Sequence, residues 1–293
     1  MNVALRMPER VERPDEAQLA RWRGLLRERT GLCLPPERSA FLAAGLRERV
    51  RACGCPSLAH YYAWMRDLRT HAEEWQRLVD RLTVHETRFF RHPPSLALVE
   101  QVFLPEMRAA GVDCLQLWSL GCATGEEAYT LAMLMEAARS DHGYPDRYAV
   151  TATDISLAVL HRARAGEYPA RRLEAVPADL RRRFLVAAGA GRVRVADVLR
   201  ARTAFLQLNL VALDRFPLRD FHLIYCQNVL IYFDRELRLQ LLDRLTERLV
   251  PGGVLILGPG DVPVWSHPAM ERIAYEGTLA FRRRTQPEEE GNA

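Results

Sequence analysis

The chain has 293 residues, of which 48% are hydrophobic and 27% are charged. This length and composition suit one large or two modest folded domains and exclude a chain that is disordered throughout. All 41 basic residues are arginine, and the net charge of +4 is too small to indicate nucleic-acid binding by itself.

The six cysteines form no CxxC pair, and no set of residues has the spacing of a zinc site. We therefore predict reduced thiols and no metal. The start of the chain, MNVALRMPERVERPDE, has no apolar segment of the kind found in signal peptides. No apolar run approaches the roughly 18 residues that a transmembrane helix needs. These patterns predict a cytoplasmic protein without direct membrane insertion.

The first third of the chain is predicted to be helical. Residues 1–14 are polar and predicted to be flexible. Residues 15–82 have apolar residues at helical spacing and predict an α-helical N-terminal domain of four helices. Ser39 is predicted to cap the second helix, and the third helix is predicted to extend to Leu68.

The rest of the chain has an α/β pattern. Residues 83–112 are predicted to be a linker and a first helix, and residues 285–293 a flexible tail. In residues 113–284 short apolar strands alternate with helices, which is typical of a parallel sheet covered on both faces. A helix at 235–249 is predicted to stop at Pro251-Gly252-Gly253. The predicted strands are 115–120, 148–153, 204–208, 221–225, 254–257 and 278–281.

Residues 166–203 interrupt this alternation. They contain Tyr168-Pro169, an arginine-rich helix and a pair of short β-patterned segments around Gly189–Gly191. We predict an insertion with β structure in the α/β domain.

The loop 120-LGCATGEE-127 follows the first strand, where α/β sheets bind their ligands. Gly121 and Gly125 allow a backbone to approach a ligand closely. Glu126 and Glu127 suit the start of a helix but would repel a pyrophosphate. A cationic ligand without phosphate, such as S-adenosylmethionine, fits these acids better than NAD or ATP.

Asp154 ends the second strand, 150-VTATD-154. A carboxylate in this position can accept hydrogen bonds from both ribose hydroxyls of an adenosine. NAD sites share this feature, so Asp154 indicates adenosine rather than a reaction. Asp154 and Ser156 are also both candidates to cap the helix that follows.

Several further motifs occur in a fixed order along the chain. They are 25-LLRERTGLCL-34, 83-TVHETRFFR-91, GCATGEEAYTLAM, 153-TDISLAVLHRARAGEY-168, 207-QLNL-210, 225-YCQNVLIYFD-234 and 249-LVPGGVLILG-258. Together they resemble the chemotaxis receptor glutamate methyltransferases of the CheR type. This resemblance covers about residues 15–282. It implies an all-α N-terminal domain followed by a Rossmann-like class I methyltransferase domain that uses S-adenosyl-L-methionine and carries a small β-subdomain insertion.

The resemblance also implies site residues. The cofactor-binding positions are His85, Thr87, Arg91, Gly121, Glu126, Glu127, Asp154, Asn209, Leu210, Asn228 and Val229. Tyr232 and Arg91 are expected to hold the methyl acceptor and donor in line. The chain departs from the family pattern at His85, where Asn is usual, at Gln227, where Arg is usual, and at 258-GPGD-261, where G-x-S-E is common. These departures bear on the receptor substrate more than on the cofactor.

The implied reaction is methyl transfer from S-adenosylmethionine to glutamate carboxylates of a chemoreceptor-type protein. A glutamate side chain is ionised at neutral pH and needs no general base. The expected partner is the cytoplasmic helical domain of the receptor, met by Arg47, Arg51 and the 166–203 insertion. We expect a monomer that binds no nucleic acid.

Three alternatives stay open at the level of sequence. A methyltransferase for nucleic acids or small molecules is disfavoured because 228-NVLIYF-233 lacks the Pro pair of amino-methylating enzymes, and Cys226 lacks a preceding Pro. A dehydrogenase is disfavoured by the loop acids and by the absence of G-x-G-x-x-G. A non-catalytic signalling module that docks on a receptor is the main competitor.

Overall fold

The computed structural model describes residues 12–262 and 265–285. The chain divides into two units, Met1–Val84 with Tyr232–Asp234, and His85–Ile231 with Arg235–Ala293. Most of the predicted tails, 1–14 and 285–293, lie outside the described residues. No helix in the described ranges is both long and apolar enough to cross a bilayer.

In the described part of the first unit there are four α-helices, as predicted. They are α1 (Glu16–Thr30), α2 (Ser39–Ala52), α3 (Leu58–Met65) and α4 (Leu68–Leu82). Asp15 caps α1 through a capping box with Gln18, and Gly31 ends it in the left-handed conformation. The apolar residues at helical spacing form the core, including Trp22, Leu26, Leu42, Leu46, Tyr61 and Leu78.

Two details of the helical prediction are wrong. Ser39 is the first residue of α2 rather than its cap, and its hydroxyl donates to the Pro36 carbonyl at 2.6 Å. Leu68 begins α4 instead of ending α3, which stops at Met65. The break lies at Asp67, whose carboxylate accepts the Thr70 hydroxyl at 2.8 Å. This local polar bond lies at the break between the two helices, where the apolar spacing alone would continue α3.

The second unit opens with a helical stretch and two strands of its sheet. In chain order these elements are α5 (Pro93–Leu98), a π-helical segment (Val99–Phe103), α6 (Leu104–Ala109), β1 (Cys114–Leu120), α7 (Glu126–His142), β2 (Arg147–Asp154) and α8 (Leu157–Ala165). Ser156 caps α8 by accepting from the Val159 amide. Ser156, and not Asp154, is therefore the cap of α8. The Asp154 carboxylate instead accepts from the Ala123 amide in the loop after β1.

The predicted insertion forms a separate small sheet. Its elements are β3 (Glu167–Pro169), α9 (Ala178–Phe184), β4 (Leu185–Ala187), β5 (Arg192–Val195) and α10 (Asp197–Arg200). The strands are antiparallel in the order β3-β5-β4, and the hairpin turn lies at Gly189–Gly191 as predicted. The β prediction for this region is therefore confirmed.

The main sheet is completed by β6 (Thr203–Gln207), β7 (Phe221–Cys226), α11 (Arg235–Thr246), β8 (Leu249–Leu257), β9 (Met270–Ile273) and β10 (Leu279–Arg283). Its seven strands have the order β6-β2-β1-β7-β8-β10-β9. The first five are parallel, and β10 runs antiparallel to both β8 and β9. This is the predicted Rossmann-like α/β class, with the strand order reversing at β1.

The predicted stop signal at Pro251-Gly252-Gly253 is wrong. The helix already ends at Thr246, and these residues lie inside β8. The pairing of β7 with β8 shifts between Phe221 and Leu223, so the segment forms a bulge. A Cβ on Gly253 would lie 3.0 Å from the Phe221 carbonyl oxygen, which explains the need for glycine there.

Candidate functional site

The candidate site lies at the carboxyl ends of four adjacent parallel strands. The loop 121–125 follows β1, and Asp154 ends β2. The turn 227–231 follows β7, and Asp261 lies shortly after β8. Because β1 is the strand at which the order reverses, this edge has the crevice in which open α/β sheets bind ligands.

The loop after β1 is fixed by backbone bonds to the neighbouring strand. The amides of Gly121 and Cys122 donate to the Thr153 carbonyl at 2.8 and 2.9 Å. Gly121 has φ of 76°, and a Cβ there would lie 2.3 Å from a methyl carbon of Val229. Glycine is thus required both for the turn and for the packing of the β7 turn against the loop.

Asp154 joins the loop to the end of β2. One carboxylate oxygen accepts from the Ala123 amide at 3.0 Å, and the other from the Ser156 amide at 2.9 Å. The residue is partly exposed, so its carboxylate retains lone pairs for a ligand. Burial raises the pKa of Asp154, and the bond from Ser156 and the charge of His85 oppose that rise.

The two acids at the start of α7 have different surroundings. Glu126 is fully buried, accepts the Thr124 hydroxyl at 2.6 Å and pairs with Arg172 at 2.6 Å. Glu127 is half-buried and accepts the Ser119 hydroxyl at 2.7 Å. Adjacent residues of a helix point about 100° apart, which sends one acid into the protein and the other to the sheet edge.

Among the described residues Glu127 forms no ion pair, unlike Glu126. Burial raises its pKa to about 8, whereas the Ser119 bond and the charge of Arg91 act in the opposite direction. Within the described ranges no basic side chain lies within 4 Å of it. A cationic ligand next to Glu127 would supply the missing charge partner.

The segment 83–91 contributes three predicted cofactor positions. His85 lies close enough to Asp154 to affect its pKa, and Thr87 is half-buried. The Arg91 guanidinium donates to the Glu86 carbonyl at 2.7 Å. The segment is held to α7 because the Phe90 amide donates to the Thr130 hydroxyl at 3.2 Å. Arg91 and His85 are thereby brought to the same edge as Glu127 and Asp154.

The turn after β7 is organised by an acid that sequence reasoning missed. Asp261 is fully buried, and its carboxylate accepts from the amides of Asn228 and Gly258 at 2.8 Å and of Ile231 at 3.2 Å. Asn228 has φ of 58°, a left-handed conformation that Asn tolerates. The GPGD departure therefore retains an acid at its fourth position, and this acid shapes the turn that carries Asn228 and Val229.

Two further predicted positions have structural partners. Gln227 is buried, and its amide nitrogen donates to the Ser95 hydroxyl at 3.1 Å and the Leu257 carbonyl at 3.2 Å. The side chain of Asn209 accepts from the Val211 amide at 3.2 Å and caps the short 3-10 helix that begins at the buried Leu210. Gln227 thus links the end of β7 to α5 by neutral bonds.

Tyr232, the predicted catalytic tyrosine, belongs to the first unit with Phe233 and Asp234. Its carbonyl accepts from the Cys33 amide at 2.8 Å, and Asp234 pairs with Arg27 at 2.6 Å. The predicted site residues in the second unit are brought to one sheet edge, whereas Tyr232 is grouped with the helices. The sequence pattern did not indicate that Tyr232–Asp234 belongs with the N-terminal helices.

The residues of the second unit fit S-adenosylmethionine. Its ribose needs an acceptor such as Asp154, its ammonium needs an anion such as Glu127, and its carboxylate needs a donor such as Arg91. Burial raises the pKa of Glu127, and an ammonium group beside it would lower that pKa again by favouring the ionised form. In the described part of the chain no group of three or more His, Cys, Asp or Glu residues could hold a metal ion.

Comparison with known proteins gives matches over both units. The family model of the CheR methyltransferase all-alpha domain matches residues 17–83, and that of the CheR methyltransferase SAM binding domain matches residues 85–274. The chain is 34% identical to "Chemotaxis protein methyltransferase 2" of Pseudomonas aeruginosa, with 78% of this chain and 80% of that protein covered. It is 33% identical to "Chemotaxis protein methyltransferase" of Escherichia coli, with 88% of each chain covered.

Proposed function

Because this chain belongs to the CheR methyltransferase family and is an S-adenosylmethionine-dependent methyltransferase, we propose that it methylates glutamate carboxylates of a chemoreceptor. The products are glutamate methyl ester and S-adenosylhomocysteine, and the proposed role is sensory adaptation in the cytoplasm. One observation carries the proposal. The family's cofactor-binding model spans residues 85–274, the same region that brings Asp154, Glu127 and Arg91 to one sheet edge.

The proposed chemistry needs alignment more than acid–base catalysis. S-adenosylmethionine supplies a methyl group on a positively charged sulfur. The acceptor carboxylate is already ionised at neutral pH, since a glutamate has an ordinary pKa of about 4.3. The tasks of this chain are therefore to orient donor and acceptor and to exclude water, and orientation alone can contribute up to roughly 7–11 kcal/mol.

We assign roles to the site residues on this basis. Asp154 accepts from the ribose hydroxyls, Glu127 balances the ammonium, and Arg91 binds the carboxylate of the methionine moiety. Tyr232 and Arg91 keep the acceptor and donor in line. The other proposed contacts to the cofactor come from His85, Thr87, Gly121, Asn209, Leu210, Asn228 and Val229. Glu126 is assigned no such contact, because its two carboxylate oxygens are bonded to Thr124 and Arg172.

The proposed partner surface includes α2. Arg51 is exposed and Arg47 half-buried, whereas Arg49 donates two bonds to the buried Glu74 at 2.9 and 2.6 Å. Glu48 pairs with Arg81 at 2.6 Å. Arg49 is therefore structural, and Arg47 and Arg51 are the arginines proposed to attract an acidic receptor helix, together with the insertion.

The proposal is tested with the purified chain, S-adenosylmethionine labelled at the methyl group, and cytoplasmic fragments of the receptors from the same genome. We expect label on a receptor that is released as methanol at alkaline pH, as a methyl ester requires. Label that persists in alkali would indicate another acceptor. Cofactor binding without label on any receptor would instead favour a non-catalytic signalling module.

The role of Tyr232 has its own test. Tyr232→Phe removes only the hydroxyl, so turnover is expected to fall by about tenfold or more while the affinity for S-adenosylhomocysteine stays unchanged. Tyr275→Phe is the matched control, since the Tyr275 hydroxyl donates to the exposed Gln101 at 2.7 Å. Unchanged turnover in Tyr232→Phe would remove this residue from the reaction.

A further inference from the structure

The insertion contacts the cofactor loop through its first segment, residues 167–173, here called the insertion arm. The Tyr168 hydroxyl donates to the Thr124 carbonyl at 2.7 Å. The Arg172 guanidinium donates to Glu126 at 2.6 Å. The insertion arm therefore contacts the loop at two places. Tyr168 binds a backbone carbonyl, and Arg172 binds the buried side chain of Glu126.

The contact at Glu126 completes the surroundings of a buried charge. One carboxylate oxygen accepts from Arg172 and the other from the Thr124 hydroxyl, at 2.6 Å each. Glu126 is fully buried, whereas the Arg172 side chain is 45% exposed. Removing the arginine would leave a buried carboxylate without its ion partner, which is strongly unfavourable, whereas removing the acid would leave an arginine that water can solvate.

Tyr168 joins the arm to two other parts of the site. Its ring packs edge-on against Phe89, with ring centroids 5.0 Å apart, and Phe89 is fully buried in the segment that carries His85 and Arg91. Its hydroxyl lies 3.0 Å from the position of a Cβ on Gly125, whose φ is 93°. The tyrosine hydroxyl and the Ala163 Cβ, which lies 2.8 Å from the same position, together fill the space that the glycine leaves open.

We propose that Arg172 and Tyr168 are positioning residues that hold the cofactor loop, residues 121–127, in its binding conformation. In this proposal Glu126 acts through Arg172 and does not itself touch the cofactor, which leaves Glu127 as the acid that meets the cationic ligand. The inference deepens the proposed function and depends on it for the identity of the ligand. The loop conformation itself can be measured without any ligand.

The first test is hydrogen exchange in the ligand-free protein. The Gly121 and Cys122 amides are bonded to Thr153, and the Ala123 amide is bonded to Asp154, so their exchange reports on the loop. Arg172→Gln is expected to speed exchange at these amides by about tenfold or more because it leaves Glu126 unpaired. The matched control is Arg171→Gln, at an exposed neighbouring arginine, and it should leave exchange unchanged. Equal exchange in both variants would overturn the proposal.

The second test is a double-mutant cycle on the affinity for S-adenosylhomocysteine. Arg172→Gln is expected to weaken binding by about tenfold or more, Glu126→Gln by less than about threefold, and the double variant to recover to within about threefold of wild type. Recovery would show that the arginine acts by balancing the acid. Tenfold weaker binding in Glu126→Gln without recovery in the double variant would show instead that Glu126 contacts the ligand, and would overturn the assignment.

Tyr168→Phe keeps the proposal testable if Arg172→Gln does not fold. It removes only the bond to the Thr124 carbonyl, and we expect faster loop exchange and about threefold weaker binding. Unchanged values for both would contradict the proposal. Failure of the wild type to bind S-adenosylhomocysteine would remove the proposed function, while the exchange test would still decide whether the arm holds the loop.

Discussion

The two halves of the sheet edge are organised by the same device, an aspartate that accepts backbone amides. On the side of β1 and β2, Asp154 accepts from Ala123 and Ser156. On the side of β7 and β8, Asp261 accepts from the amides of Asn228, Gly258 and Ile231. Burial raises the pKa of both acids, and the amide donors oppose the rise in both.

The difference between them lies in unused acceptor capacity. Asp154 is partly exposed and can accept further bonds from a ligand. Asp261 has no solvent exposure and uses both oxygens for the chain itself. The same chemical group therefore serves recognition on one side and architecture on the other. Burial and donor count, rather than residue type, separate the two roles.

The largest expected effect is a loss of stability on substitution of Asp261, the acid that shapes the turn after β7. Asp261→Asn turns an amide NH₂ toward backbone N–H donors in a buried site, and we expect it to lower the free energy of unfolding by about 3 kcal/mol. Urea denaturation measures the loss. Asp243→Asn, at an exposed residue of α11, is the control and should change stability little. A loss below that of an ordinary surface substitution would mean that Asp261 does not shape the turn.

Substitution of Asp154 should have the reverse pattern, with a large loss of ligand affinity and a small loss of stability. Asp154→Asn is expected to weaken S-adenosylhomocysteine binding by about 100-fold, because charge-assisted bonds to two hydroxyls are lost, while stability falls by only about 1 kcal/mol. Titration calorimetry and urea denaturation measure the two quantities on the same sample. A large loss of stability with unchanged affinity would place Asp154 with Asp261 and end the contrast.

The pH dependence of binding should identify Glu127 as the charge that meets the ligand. Its pKa is raised to about 8 in the free protein, so it is protonated at neutral pH and must lose the proton to pair with an ammonium group. Affinity should therefore rise as pH increases, by about fiftyfold between about pH 6 and pH 8, with proton release on binding. Glu127→Gln should bind with little pH dependence in this range, and a wild-type affinity that falls over the same interval would reverse the assignment.

The sequence predicted the parts of the site that a local pattern encodes. The glycines of 120-LGCATGEE-127, the strand that ends at Asp154 and the order of the motifs all predicted the sheet edge and its position in the chain. Apolar strands and helical spacing are local properties, so they predicted the fold class as well. The bulge of β8 was not predicted because Pro-Gly-Gly is typical of a turn. Only its pairing with the neighbouring β7 shows that the segment lies in a strand.

The remaining features depend on partners far away in the chain. From the sequence, Asp261 was only part of a departure from a motif, because its donor Asn228 lies in the turn after β7, 33 residues away in the chain. Glu126 and Glu127 are neighbours in sequence, and the ion partner that only Glu126 has, Arg172, comes from the insertion. Such pairings arise when the fold brings distant segments together, and one sequence without a structure does not indicate them.

The smallest expected effect is the change in ligand affinity on substitution of His85, which lies near Asp154. The charge of His85 opposes the rise of the pKa of Asp154. His85→Asn restores the residue that is usual in the family and removes the charge, so Asp154 should become protonated at a higher pH. We expect binding of S-adenosylhomocysteine to weaken by about threefold at mildly acidic pH, where the protonation of Asp154 differs between the two proteins, and to match wild type at alkaline pH, where Asp154 is ionised in both. Equal affinities at both pH values would show that the Asp154 carboxylate is kept ionised by its backbone donors alone, as in Asp261, and the contrast would then depend on exposure only.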